Sequence, residues 1–234
     1  LHGRLFYLRR TVMLDKRLSA CMSLVSGDVA CDVGTDHGYL PAELLTSGKC
    51  RFCYACDINE MPLKSAEKTL SSINMDGKWR CILSDGLKAA DDEVLSDITD
   101  IICAGMGGEL ISQIIGNSHT AKRARLILQP MTQAAFLRRY LCENGFHIIS
   151  EIPVDCGKHV YTVLAAEYDG KKHDISDIEE TFGFCEKGSP DHDKYIERRI
   201  LQLSRAAEGM LSSDPDSPEG LRIMSLIDRF KNEG

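Results

Sequence analysis

Val29-Ala30-Cys31-Asp32-Val33-Gly34-Thr35-Asp36-His37-Gly38 decides how this chain is read. A short, mostly apolar run, 29–33, passes directly into a loop carrying two glycines, a carboxylate and a histidine. Such a run, bounded by turn residues, reads as a first strand. In open α/β sheets, ligands bind beyond the carboxyl ends of the strands. Glycine in that loop lets the backbone approach a ligand with no Cβ in the way. The spacing is not the G-x-G-x-x-G of a dinucleotide fold, because Gly34 and Gly38 stand four apart with Asp36 between them. A carboxylate there is awkward beside a pyrophosphate and tolerable beside a cation. An ordinary tight turn is the bland alternative.

Working outward, strands and helices alternate. Leu14, Leu18, Cys21, Met22 and Val25 recur at helical spacing before the first strand, with Gly27 as a stop. Further strands are expected at 52–56, 79–83, 98–103 and 126–128, with helices at 40–46, 60–73, 109–115 and 132–143. That alternation means crossover units and a parallel sheet. Two closing strands, 146–153 and 161–167, are joined through Cys156, Gly157 and Lys158, so the last should run antiparallel. After Gly170, Ile196, Ile200, Leu203, Ala207 and Met210 mark one amphipathic helix, and Leu221, Met224, Ile227 and Phe230 another. Asp214-Pro215-Asp216-Ser217-Pro218 between them is a turn signal, giving a helical hairpin over 190–232.

Composition narrows the classes. At 234 residues, 43% hydrophobic, the chain can bury a full α/β core with a small appendage. No window approaches the ~18 uninterrupted apolar residues of a membrane span, and the apolar patch at 5–8 is too short for a signal-peptide core. The cysteines at 31, 56, 81 and 103 sit in strand-like runs as small hydrophobes, which suits a reducing, cytoplasmic setting. Cys50-x-x-Cys53-x-x-Cys56 is not read as a metal site, since alternate strand residues face opposite ways. The net charge of −7 argues against indiscriminate nucleic-acid binding. Basic residues nevertheless cluster, at Lys16-Arg17, Lys122-Arg123-x-Arg125 and Arg138-Arg139, as solvated helix ends or as a local basic face.

Beyond Asp32, candidate ligand contacts stand at successive strand ends. Asp57 ends the second strand, where an acid accepts hydrogen bonds from a ribose, and Asp85-Gly86 follow the third. Ala104-Gly105-Met106-Gly107-Gly108 ends the fourth. Each acid alone has an alternative role as a helix N-cap; the series in order is harder to dismiss.

The architecture resembles the class I methyltransferases, a Rossmann-like doubly wound α/β sheet with its last strand antiparallel, here followed by the C-terminal hairpin. The motifs Asp32-Val33-Gly34-Thr35-Asp36-His37-Gly38-Tyr39-Leu40-Pro41, Ala104-Gly105-Met106-Gly107-Gly108, Leu126-Ile127-Leu128-Gln129-Pro130 and Gly157-Lys158-His159-Val160-Tyr161 carry a narrower likeness. With Leu14-Asp15-Lys16-Arg17-Leu18, they resemble the bacterial tRNA (adenine(22)-N(1))-methyltransferases, the TrmK family, over about 13–170. Asp15 and Met131 depart from the small polar residues, Ser and Asn, expected there. The resemblance implies a catalytic domain at 13–170, a C-terminal hairpin at 171–234, and an extension at 1–12 ahead of Met13. It implies S-adenosylmethionine (SAM) as cofactor, tRNA as partner, and no metal or membrane. Asp32, Gly34, Asp57, Asp85, Gly86 and Gly105 would hold the cofactor. Lys16, Arg17, Gly107, Gly108, Gln129, Pro130 and Tyr161 would serve the substrate, and Asp36, His37 and Tyr39 the chemistry. Lys16, Arg17, Arg138 and Arg139 are candidate phosphate contacts. His37 has an alternative as a loop residue bonded to backbone, and Tyr39 as a core-packing ring. A methyltransferase for another RNA, a protein or a small molecule, or a non-catalytic RNA-binding module, are the rival functions.

Overall fold

The structure is a computed structural model describing residues 14–95 and 97–233. The extension expected at 1–12 lies outside the described residues. Seven strands form one sheet: β1 (Val29–Val33), β2 (Phe52–Asp57), β3 (Trp79–Leu83), β4 (Asp100–Gly107), β5 (Arg125–Thr132), β6 (Phe146–Asp155) and β7 (Val160–Tyr168). Their order is β3-β2-β1-β4-β5-β7-β6. The first five are parallel, and β7 runs antiparallel to both β5 and β6. The last strand thus enters the sheet between β5 and its own hairpin partner, the antiparallel ending expected, in a position the sequence does not announce.

Helices cover both faces. On one lie α1 (Lys16–Leu24), α2 (Tyr39–Thr46) and α3 (Glu60–Ser71), packing Cys21, Leu40, Leu44 and Leu70 on Ala30, Cys53 and Ile102. On the other lie α4 (Gly108–Gly116) and α5 (Ala134–Glu143), packing Ile111, Ile115, Leu137 and Leu141 on Val29, Cys31, Cys56 and Cys103. Cys53 and Cys56 therefore face opposite sides of the sheet, as the strand period requires. Two strands outrun their expected ends. β4 continues through Ala104 to Gly107, and β5 through Gln129 to Thr132, because the two pair beyond their apolar cores.

The C-terminal part is α6 (Asp177–Phe182), α7 (His192–Ser213) and α8 (Pro218–Glu233). The hairpin is as expected; α6 is not. It is one short helix started by a capping box in which Ser176 and Glu179 bond each other's backbone. Phe182, Ala207, Ile223, Leu226 and Ile227 give the three helices a small core of their own.

This unit docks through a polar joint. Arg138 on α5 is 1% exposed and forks onto Glu151 of β6, with Nη2 to Oε1 at 2.6 Å and Nε to Oε2 at 3.0 Å. Its remaining donors reach Tyr195 Oη on α7 (2.9 Å) and the Glu180 carbonyl on α6 (2.8 Å). Gly183, at φ +86°, passes so close that a Cβ would lie 2.6 Å from Glu151 Oε2. Arg138 is thus corrected from phosphate contact to buried joint, and Arg139 is paired with Glu180 and Asp177.

Removing one partner of a buried ion pair strands the other charge. Glu151→Ala is expected to lower the unfolding free energy by about 3–5 kcal/mol. The double change Arg138→Met, Glu151→Leu should recover most of the loss, measured by urea unfolding followed by circular dichroism.

Candidate functional site

The parallel pairing of β2, β1, β4 and β5 brings their carboxyl ends to one edge of the sheet. The loop after β1 is tied to β2: the N–H groups of Gly34 and Thr35 both donate to the Cys56 carbonyl, at 2.8 and 3.0 Å. Gly34 has φ +78°, and a Cβ there would lie 2.1 Å from Met106 Cε on β4. Gly38, at φ +68°, opens α2 against the Ala66 backbone of α3. Both glycines are required by left-handed backbone and close approach.

At the end of β1, leading into this loop, Asp32 is 8% exposed, and among the described residues no cation stands beside it. Burial pushes its carboxyl up to about 6; the facing Thr35 hydroxyl offsets part of the rise and the Asp57 charge adds to it. Thr35 Oγ1 is itself buried, with no partner in hydrogen-bonding geometry among the described residues. Asp57 accepts the Asn59 N–H at 2.7 Å, and Ser84 N–H bonds the Asp57 carbonyl at 2.9 Å, joining the ends of β2 and β3. Ser84 Oγ in turn closes on the Gly86 carbonyl at 3.0 Å, leaving Asp85 exposed. Ile58 and Leu83, 60% and 57% exposed, flank these carboxylates. Sequence reading missed both, since an apolar residue at a strand end reads as core. Buried and exposed carboxylates, an unpartnered hydroxyl, apolar flanks and a Cβ-free turn fit the charges, hydroxyls and flat base of SAM.

On the other side of the loop, Asp36 and His37 form a pair at 3.2 Å, and His37 Nδ1 lies 2.7 Å from Ser65 Oγ on α3. The Tyr39 ring stacks on His37 at 5.3 Å between centroids and is 43% exposed. Neither bland alternative holds: His37 is held by side chains, and Tyr39 is not in the core. Nothing in the sequence marks Ser65, 28 residues away, as the partner of His37.

Across the edge, Gln129 brings two expected residues together. Its Oε1 accepts from Gly105 N–H at 3.1 Å and Arg17 Nη1 at 3.0 Å. Gln129, Pro130 and Gly108 are buried, and a Cβ on Gly108 would lie 2.4 Å from the Gln133 carbonyl. Gly107 is half-buried against Thr132. Lys16 is exposed at the start of α1. The pairing of β5 with β7 ends at Leu128 opposite Leu164, and Tyr161 pairs with Val154 of β6.

Residues 14–164 match the family described as Methyltransferase domain. The tRNA (adenine(22)-N(1))-methyltransferase of Bacillus subtilis is 31% identical over 229 residues, covering 93% of this chain and 94% of that protein. Among solved structures, Streptococcus pneumoniae Sp1610 in complex with S-adenosyl-L-methionine is 29% identical at TM-score 0.78, covering 93% of this chain and 99% of that one. M. capricolum TrmK in complex with S-adenosyl-homocysteine is 25% identical at TM-score 0.79, covering 94% and 97%.

With its carboxyl raised to about 6 from an ordinary 3.8, Asp32 binds more proton folded than unfolded between those values. Stability of the ligand-free chain should therefore fall as pH rises from about 4 to 6. Asp32→Asn removes that cost. Above pH 6 it should be more stable than the parent, by up to roughly 3 kcal/mol, while losing SAM affinity by calorimetry. Parallel stability–pH curves for the two proteins would contradict the assignment.

Proposed function

This chain belongs to the family of bacterial tRNA (adenine(22)-N(1))-methyltransferases, and we propose that it transfers a methyl group from SAM to N1 of adenine 22 in tRNA. The single observation that carries this reading is the series of strand-end residues around the buried Asp32, in a chain 31% identical over 229 residues to a relative named for that activity.

When bound, SAM supplies an electrophilic methyl on a sulfonium. Asp32, Asp57 and Asp85 would hold it in a negative field, beside the turn at Gly34 whose left-handed backbone suits glycine. Adenine N1 carries a lone pair in the neutral base. That lone pair would be the nucleophile, so no proton would have to leave first. The task of the protein is therefore positioning and exclusion of water rather than base catalysis.

N1 lies on the pairing edge, so the base must be unpaired and turned outward to be reached. The exposed Tyr39 ring, stacked on His37, offers it an aromatic surface at the mouth of the loop. The methylated base is cationic, and the Asp36 carboxylate beside His37 is the group that favours the developing charge. His37, held between Asp36 and Ser65, fixes both neighbours.

The test is methyl transfer from labelled SAM to bulk bacterial tRNA, followed by nucleoside analysis. The expected product is 1-methyladenosine, formed by the parent chain and lost in Asp32→Ala. Tyr39→Ala should weaken transfer with SAM affinity unchanged. A different methylated nucleoside, or none, would remove the substrate assignment and leave the cofactor pocket standing.

A further inference from the structure

The end of β4 is irregular. Its pairing with β5 shifts register between Ala104 and Met106 and again between Met106 and Gly107. A bulge of this kind takes a backbone N–H out of the ladder. At Gly105, in left-handed backbone at φ +80°, that N–H is taken up by Gln129 Oε1. Gln129 is 0% exposed, and its Nε2 donates to the Pro130 carbonyl at 3.0 Å. Its whole amide is therefore engaged by the chain.

The same oxygen accepts Arg17 Nη1, which also lies 3.4 Å from Met131 Sδ. Arg17 Nη2 reaches Asp15 Oδ2 at 2.8 Å, and Asp15 Oδ1 accepts the Leu18 N–H at 2.9 Å, capping α1. Partial burial alone would raise the Asp15 carboxyl; the Leu18 N–H and the guanidinium outweigh it and hold it below its ordinary value. One connected run of bonds thus leads from the cap of α1 through a planar fork to the bulge at the substrate edge. The fork geometry is what spans it: Nη1 and Nη2 point to different partners at once, which an ammonium on a flexible stem does not reproduce.

We propose that Arg17 and Gln129 are positioning residues that hold the Gly105 bulge in register for methyl transfer, and that Arg17 is not a phosphate ligand. The proposal rests on the transfer reaction assigned above. The two roles of Arg17 separate cleanly, because a phosphate contact depends on charge and salt, while a positioning contact depends on the fork.

Arg17→Ala, Arg17→Lys and Gln129→Ala in the full chain would be assayed for transfer to tRNA across a range of salt, with melting followed alongside. Positioning predicts that kcat falls by about 10–100-fold in all three, with KM for tRNA and the salt slope held. It also predicts that Arg17→Lys is as impaired as Arg17→Ala. A salt slope lowered by about one in Arg17→Ala, with Arg17→Lys near the parent, overturns it; so does a loss of activity that only follows loss of folded protein. Hydrogen exchange at the Gly105 amide gives a readout free of substrate. It should quicken in Gln129→Ala while β1 and β5 amides stay protected, and unchanged exchange overturns the proposal. If the parent chain itself transfers nothing to tRNA, the substrate reading fails, and the exchange measurement still decides the network.

Discussion

Parallel pairing of β2, β1, β4 and β5 imposes one constraint from which the rest follows. All their carbonyl ends reach the same edge, and helices seal both faces behind it. Backbone groups at that edge have no further strand to pair with, so each loop satisfies them locally or leaves them for a ligand. The Cys56 carbonyl takes two N–H groups from the first loop, the Asp57 carbonyl takes Ser84, and Gln129 takes Gly105. The pocket consists of those ties together with the groups left over, above all the carboxylate of Asp32 and the hydroxyl of Thr35.

A buried carboxylate without a counter-charge costs the ligand-free fold stability. The opposite arrangement holds at the C-terminal joint, where Glu151 is matched by Arg138 inside the protein itself. The two acids have similar burial and differ in what lies beside them. The rim around Asp36 differs again. It is exposed and held by side chains from the start of α2 and the face of α3.

Much of this was legible from residue order. β1, β2 and β3 emerged within a residue of their expected limits, because short apolar runs ended by Asp or Gly admit few other readings. The strand-end acids followed from them. The bulge at Gly105 was not legible, since the amide that stabilises it lies 24 residues on and looks like any polar residue after a strand. The insertion of β7 between β5 and β6 is a matter of pairing, which hydrophobic pattern leaves open. Arg138 was misread because adjacent arginines suggest surface; its place beside Leu137 and Leu141 on the inner side of α5 was the available clue. The six-residue α6 is too short to show a period.

On the proposed function, the edge built on Asp32 acts on one base at one position. The direct measurement is methyl transfer to a single tRNA transcript carrying adenine at position 22, beside the same transcript carrying guanine there. Incorporation is expected into the first, mapped to N1 of that adenine, and none into the second. Equal incorporation into both transcripts would contradict it.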